Sequence, residues 1–95
     1  TSLKNHDFYF NQNNKVKDHF AKKFCLSKRE LEVLELIVQN YSSKKIAERL
    51  FVSLETISSH RKNLIKKTEC RTAIDFYLLA IEMGMIKAHS KLENS

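Results

Sequence analysis

Residues 43–67 read SKKIAERLFVSLETISSHRKNLIKK, and this stretch decides the fold. A serine at position 42 or 43 can cap a short helix over about residues 43–50, because a serine hydroxyl accepts a backbone N–H of the first turn. Ser53 then caps a second helix over about residues 54–67. The apolar positions expected to face inward are Ile46, Ala47 and Leu50 in the first helix and Ile57, Leu64 and Ile65 in the second.

Two short helices joined by about three residues, the second polar and basic on its outer side, form the pattern of a helix-turn-helix. The major groove of DNA admits one α-helix, and in this motif the first helix supports the second. Ala47 is small enough to let the two helices cross closely, and Val52 supplies the apolar residue of the turn. The capped start of the second helix also attracts phosphate. The pattern therefore favours double-stranded DNA as the ligand.

The charge of the chain is concentrated around this motif. Of the net charge of +6, residues 44–71 contribute +5, with eight basic and three acidic side chains. Residues 1–26 add +3, and the two remaining segments are each slightly acidic. A focused basic patch suits a polyanion, although charge alone is also compatible with an ordinary solvated surface.

Two further helices flank the motif. Ser27 and Glu30 have the spacing of a capping box, which predicts a helix over about residues 28–40. Its end is placed at Asn40, because asparagine tolerates the left-handed backbone of a helix C-terminus. Glu30 is interpreted as a structural carboxylate that caps its own helix and can pair with a base on a later helix. A fourth helix is expected over about residues 72–83.

The predicted fold class is therefore all-α, with four helices in one domain over residues 26–86. One glycine and no proline in 95 residues argue against a β-sandwich or barrel, which needs many tight turns. Residues 1–25 are interpreted as a linker or N-terminal arm, and the apolar spacing over 16–24 suits a short helix at its end. Residues 87–95 are expected to form a polar C-terminal tail.

Three motifs in order, LSKRELEVL at 26–34, KKIAERL at 44–50 and VSLETISSH at 52–60, resemble the LuxR-type helix-turn-helix domain, also called GerE or NarL/FixJ. The resemblance covers about residues 26–86. Asn40 departs from the glycine that the family often has there, and Thr68-Glu69 departs from its common Leu-Gly pair. The resemblance implies the C-terminal output domain of a bacterial transcription regulator. It also implies a homodimer on inverted DNA half-sites, behind a receiver or sensory domain that is missing from this chain.

The site residues follow from position in the motif. Helical spacing places three outward residues of the second motif helix on one face, where they can lie over base edges. A wider group of residues around them is assigned to phosphate contacts, which set affinity and register but carry no sequence information. The predicted base contacts are Ser58, Ser59 and Lys62. The predicted phosphate contacts are Lys44, Lys45, Ser53, Thr56, Arg61, Lys66 and Lys67.

The fourth helix is apolar almost all round, whereas a surface helix needs one apolar stripe. Its second face should therefore bury against something. A homodimer partner is the first interpretation, as the resemblance also implies, and packing by the aromatic residues of the N-terminal arm is the alternative. The predicted dimer interface consists of Ile74, Tyr77, Leu78 and Ile81.

Several functions are not expected. His60 has no cysteine or histidine partner at metal-ligand spacing, and a chain with one glycine offers no glycine-rich phosphate loop, so neither enzyme activity nor a metal or cofactor is predicted. Cys25 and Cys70 are interpreted as reduced thiols, with one disulfide between them left open. No apolar run reaches transmembrane length and no signal peptide is recognised, so no membrane contact by this segment and a cytoplasmic location are expected.

Two alternatives remain for the function. A sigma-factor-type promoter-recognition domain contains a similar helix-turn-helix. A protein-interaction module would instead work through the apolar fourth helix, with the basic centre incidental.

Overall fold

The computed structural model describes residues 8–10 and 13–88 and consists of five helices and a two-stranded antiparallel ribbon. The predicted all-α class is confirmed, and each predicted helix lies within two residues of its expected bounds. The short helix expected at the end of the N-terminal arm is the fifth helix, and only the ribbon is additional. The elements in chain order are β1 Phe8–Phe10, α1 Asn14–Phe24, α2 Lys28–Val38, α3 Ser43–Leu50, α4 Leu54–Thr68, α5 Ala73–Glu82 and β2 Ile86–Ala88. Most of the predicted C-terminal tail, residues 89–95, lies outside the described residues, as do 1–7 and 11–12 of the arm.

Every helix begins at a residue whose side chain accepts a backbone N–H of the first turn. The capping box predicted at Ser27 is confirmed: the Ser27 N–H donates to Glu30 Oε1 at 3.0 Å, and the Glu30 N–H donates to Ser27 Oγ at 3.1 Å. Of the two serines considered for α3, Ser42 is the cap. The five caps are Asn13, Ser27, Ser42, Ser53 and Thr72.

Helix α2 lies at the centre of the fold and packs against α3, α4 and α5. One face of it is apolar and fully buried, which accounts for its central place, since burying aliphatic side chains is the main driving force of folding. The inward positions predicted at Ile46, Ala47, Ile57 and Leu64 are buried as expected. The core residues from α2 are Val33, Leu34, Ile37 and Val38.

Helix α1 packs onto this core, although its residues were interpreted from the sequence as part of a linker. Phe20 is completely buried, and its ring centroid lies 5.3 Å from that of Phe24. Lys17 Nζ lies 3.4 Å from Glu35 Oε2 on α2, and burial raises the pKa of Glu35 while Lys17 partly offsets this. Phe20 and Phe24 of the arm therefore dock on the core.

The turn between α3 and α4 passes through a left-handed residue, Phe51, with φ 59°. The next N–H, of Val52, donates to Ala47 O at 3.1 Å, and the Val52 side chain packs against the core as expected for the apolar residue of the turn. The Phe51 side chain is 93% exposed. Its left-handed backbone conformation is unfavourable for any residue with a Cβ, and burial of the side chain does not offset this cost.

An ion pair joins α2 to the far end of α4. Lys67 Nζ donates to Glu30 Oε1 at 2.7 Å and to the Cys25 carbonyl oxygen at 2.8 Å. Burial acts to raise the pKa of Glu30, but the hydrogen bonds from Lys67 and from the Ser27 N–H outweigh it, so the pKa lies below its usual 4.5. The base on a later helix that was predicted to pair with Glu30 is thus Lys67.

Replacing Phe51 with glycine should stabilise the domain. Glycine relieves a left-handed strain of roughly 1–2 kcal/mol, and its greater freedom in the unfolded chain offsets about half of this. The expected gain is about 0.5–1 kcal/mol, or a few degrees in Tm. Thermal unfolding measures it, with Glu48→Gly as the matched control inside α3, which should destabilise by about 1 kcal/mol. A lower Tm for Phe51→Gly would contradict the interpretation.

Replacing Lys67 with methionine should destabilise the domain by about 1–2 kcal/mol at neutral pH, because it leaves a buried carboxylate without its charged donor. Because the folded-state pKa of Glu30 is lowered, its ionised carboxylate stabilises the folded domain fully above pH 4.5. This stabilisation is lost as the pH falls through the lowered pKa. The difference between variant and wild type should therefore shrink in acid. Urea unfolding over a pH series measures this. Equal effects of Lys67→Met and of Lys66→Met, at the exposed neighbour, would contradict it.

Candidate nucleic-acid interface

Helix α4 presents two contrasting faces. Ile57 and Leu64 are fully buried against α2 and α3, so they fix the rotation of the helix. The three predicted base-contact residues, Ser58, Ser59 and Lys62, are all exposed on the outer side. A helix 15 residues long, held from behind and polar in front, has the form needed to enter the major groove.

The start of α4 is built by Ser53 and Thr56. Ser53 Oγ accepts the Thr56 N–H at 3.0 Å, and the two hydroxyl oxygens lie 2.9 Å apart. These bonds hold the first turn in place, and the remaining N–H groups at this end carry the positive pole of the helix. Ser53 is thus confirmed as the cap of α4, while the phosphate contacts of Ser53 and Thr56 stay predictions.

Basic side chains stand on both helices of the motif and form what is called here the basic rim: Lys44, Lys45, Arg61 and Lys66. Lys44 and Lys45 lie in the first turn of α3 and are exposed. The Lys45 ammonium lies 3.7 Å from Glu48 Oε1, but with both side chains more than half exposed this pair is weak and leaves the lysine free to exchange partners. On α4, Arg61 is half-buried and Lys66 is exposed. The cations stand on both helices of the motif, as a phosphate-binding rim requires.

Lys67 differs from the other residues predicted to contact phosphate. Two of the three N–H groups of its ammonium donate to Glu30 and to the Cys25 carbonyl oxygen, so its charge is already paired with a carboxylate. Its contacts do not support grouping it with the phosphate-binding residues. The sequence placed a base near Glu30 but gave no signal for which one, because the partners lie 37 residues apart.

Arg49 was not singled out from the sequence. Its guanidinium lies 4.9 Å from the centre of the Tyr41 ring, which is a cation–π distance. The contact joins the end of α3 to the loop before it and holds one more positive charge on the first motif helix. No sequence signal points to it, since the two residues belong to different elements.

The fourth predicted helix, α5, buries one side and leaves another open. Phe76 and Ala80 are buried and Tyr77 is half-buried, whereas the outer row is open. The row follows helical spacing, with Ile74 50%, Leu78 57% and Ile81 39% exposed. Among the described residues, the arm does not cover this row: α1 lies against α2, and β1 pairs with β2 from Phe10↔Ile86 to Phe8↔Ala88.

Beside this row, an open groove of about 360 Å³ runs between the end of α4 and α5. Leu78 and Leu79 form its floor. Three carboxylates, those of Glu69, Asp75 and Glu82, also line it. The Asp75 carboxylate accepts the N–H groups of Arg71 and Thr72, which holds its pKa below the usual range. The groove beside the apolar row is therefore lined by acidic groups.

No three His, Cys, Asp or Glu side chains converge on a metal position among residues 8–10 and 13–88. Within the same part of the chain, no helix has the length and hydropathy to cross a membrane. Cys25 and Cys70 are both free thiols, and burial raises the pKa of Cys70.

The comparisons with known proteins agree with this geometry. Residues 25–80 match the model of the family described as bacterial regulatory proteins, luxR family. The oxygen regulatory protein NreC of Staphylococcus carnosus (strain TM300) is 38% identical over 61 residues, which is 64% of this chain and 28% of that protein. NreC of Staphylococcus aureus (strain JH9) is 34% identical over 87 residues, 92% of this chain and 40% of that protein.

The chain therefore spans less than half the length of these two relatives. No solved structure matches it significantly. The family match favours a regulator over the sigma-factor-type alternative, and the family is one of regulators rather than of enzymes. The chain belongs to the luxR family of bacterial regulatory proteins and is a DNA-binding domain of a transcription regulator.

Proposed function

We propose that this domain reads a specific double-stranded DNA sequence by placing α4 in the major groove. The observation that carries the proposal is the outer face of α4, where Ser58, Ser59 and Lys62 are exposed on a helix fixed from behind by Ile57 and Leu64. Lys62 suits the acceptor edge of guanine, and the serines suit either donors or acceptors.

The affinity comes from the basic rim in this proposal. Lys44, Lys45, Arg61 and Lys66 neutralise phosphates on either side of the groove, while Ser53 and Thr56 bring the positive end of α4 to a phosphate. Each neutralised phosphate releases counterions, so binding weakens steeply as salt rises. Lys67 is left out of this set because it is engaged by Glu30.

The open row of α5 supports a homodimer on DNA. Leu78 sits between Ile74 and Ile81, and a second copy packing on this row would cover all three side chains. Tyr77 borders the row. Two copies related by a two-fold axis would then place two α4 helices on inverted half-sites, since operator symmetry mirrors protein symmetry.

The signal in this proposal is sensed outside the chain. The chain corresponds to 28–40% of two relatives that are named oxygen regulatory proteins, which leaves room in such proteins for a receiver or sensory domain. The regulator as a whole would work in the cytoplasm, where its DNA lies.

A protein-interaction module is the second candidate, favoured by the same open row of α5. In that case the row would bind a different protein, and the basic rim would be an ordinary charged surface. The two functions differ in whether duplex DNA is bound selectively.

Selection of bound sequences from a random duplex pool should enrich inverted repeats. Lys62→Ala should then relax the preference at one base-pair position per half-site, costing about 1–3 kcal/mol for the best sequence. Lys66→Ala should instead weaken all sequences alike and reduce the slope of log affinity against log salt by about one. Binding titrations on the selected and on scrambled duplexes measure both.

The matched control is Lys15→Ala, which removes an exposed lysine from the first turn of α1, the end opposite to the Cys25–Lys67 contact. It should leave both specificity and salt slope near wild type. A Lys62→Ala variant that keeps the full preference would contradict the base-contact assignment. The absence of any enriched sequence would favour the interaction module.

Leu78→Asn should weaken binding to a duplex with two half-sites while leaving binding to a single half-site unchanged. Loss of the contact between copies removes the avidity of the second half-site, which is worth roughly a hundredfold for linked sites. The comparison of one-site and two-site duplexes measures this loss. Glu82→Gln, on the same helix, is the control expected to retain the difference. Equal losses on both duplexes would contradict the dimer interface.

A further inference from the structure

Leu54 is a large apolar side chain left in the open on the working helix. It is 52% exposed, although large apolar residues elsewhere on α4, such as Ile57 and Leu64, are fully buried. It takes no part in capping, which Ser53 performs. A single exposed leucine is common on protein surfaces, so its exposure alone indicates no role. The position of Leu54 on the helix does indicate one.

Leu54 shares a face with the residues proposed to read bases. Leu54, Ser58 and Lys62 follow one another at intervals of four residues, and side chains four apart on a helix are neighbours with Cβ atoms about 5–6 Å apart. Leu54 therefore continues that row by one turn toward the N-terminus. In a helix-turn-helix, the N-terminal residues of the inserted helix are those that contact base edges.

The major groove offers an aliphatic side chain one apolar group among the base edges, the C5-methyl of thymine. Apart from small C–H groups such as the C5–H of cytosine, the other groups there are hydrogen-bond donors or acceptors, which Leu54 cannot satisfy and would desolvate at a cost. We infer that Leu54 is a specificity-determining residue that packs on the C5-methyl of a thymine in the half-site. The inference rests on the proposed function, since it needs α4 in the major groove.

The neighbouring side chains leave this discrimination to Leu54. Serine hydroxyls both donate and accept, so Ser58 accepts several bases, and Lys62 is a flexible cation suited to guanine. An apolar contact that favours thymine and disfavours the polar edges supplies a selectivity for thymine that neither Ser58 nor Lys62 provides. Removing one methyl from such a contact changes affinity by about three- to tenfold.

The test replaces each thymine of the selected half-site by deoxyuridine, one position at a time, which removes the methyl and keeps the base pairing. The dissociation constant is measured for the wild type and for Leu54→Ala, Leu54→Met and Leu78→Ala. For the wild type, one position should show a three- to tenfold weakening. Leu54→Ala should be indifferent to deoxyuridine there, and Leu54→Met, which keeps an apolar side chain, should remain sensitive.

Leu78→Ala is the matched control, because it makes the same change at a leucine of similar exposure, 57%, on α5. It should keep the deoxyuridine effect even if its overall affinity falls. Circular dichroism verifies that each variant is folded, as an exposed leucine-to-alanine change in a helix permits.

The outcomes separate the two proposals. Sequence-specific binding without a deoxyuridine effect at any position, or a selected half-site without thymine, overturns the role of Leu54 and leaves the proposed function in place. An effect of equal size in the wild type and in Leu54→Ala assigns the methyl contact to another residue and also overturns it. A failure to bind any duplex selectively overturns both.

Discussion

The carboxylate of Glu30 accepts a backbone N–H from its own helix cap and an ammonium N–H from the last turn of α4. The same ammonium donates to the carbonyl of Cys25, at the junction between α1 and α2. Three elements that are separate in sequence thus meet at one buried acidic group. Helix α4 is capped by Ser53 at its N-terminus and bonded to α2 through Lys67 at its C-terminus. The buried Ile57 and Leu64 fix the rotation of α4 against α2 and α3, and this ion pair adds a polar contact at its C-terminal end.

The turns of this fold are made almost without glycine. Four residues with a Cβ, Cys25, Asn40, Phe51 and Glu69, take positive φ values at helix ends. Asparagine adopts this conformation readily, and the sequence allowed that one to be predicted. The other three residue types carry no such signal. Their conformations are imposed by the packing of the helices on either side, which supplies more energy than the left-handed backbone costs.

The helices could be predicted because their determinants are local. A cap, a capping box and an apolar repeat all lie within a few residues of each other, as at Ser27 and Glu30. The docking of α1, the pairing of β1 with β2 and the partner of Glu30 depend on contacts between distant segments, such as Lys17 with Glu35. Nothing in a single sequence fixes those pairings. For the same reason, Lys67 was assigned to the phosphate contacts on its charge alone, since the sequence does not show its bond to Glu30.

The charged side chains of the helix-turn-helix differ in sign from those beside α5. Basic side chains stand on α3 and α4, whereas Glu69, Asp75 and Glu82 line the groove beside the open row of α5. A duplex would be drawn to the first surface and repelled from the second, since potentials of this kind act over about a Debye length. In the proposed complex, the apolar row beside the carboxylates would then stay clear of DNA and available for a protein surface. Both α4 and α5 pack on α2. The outer face of α4 and the open row of α5 therefore hold a constant geometry relative to one another. That constancy is what would let a contact between two copies through α5 set the distance between two α4 helices.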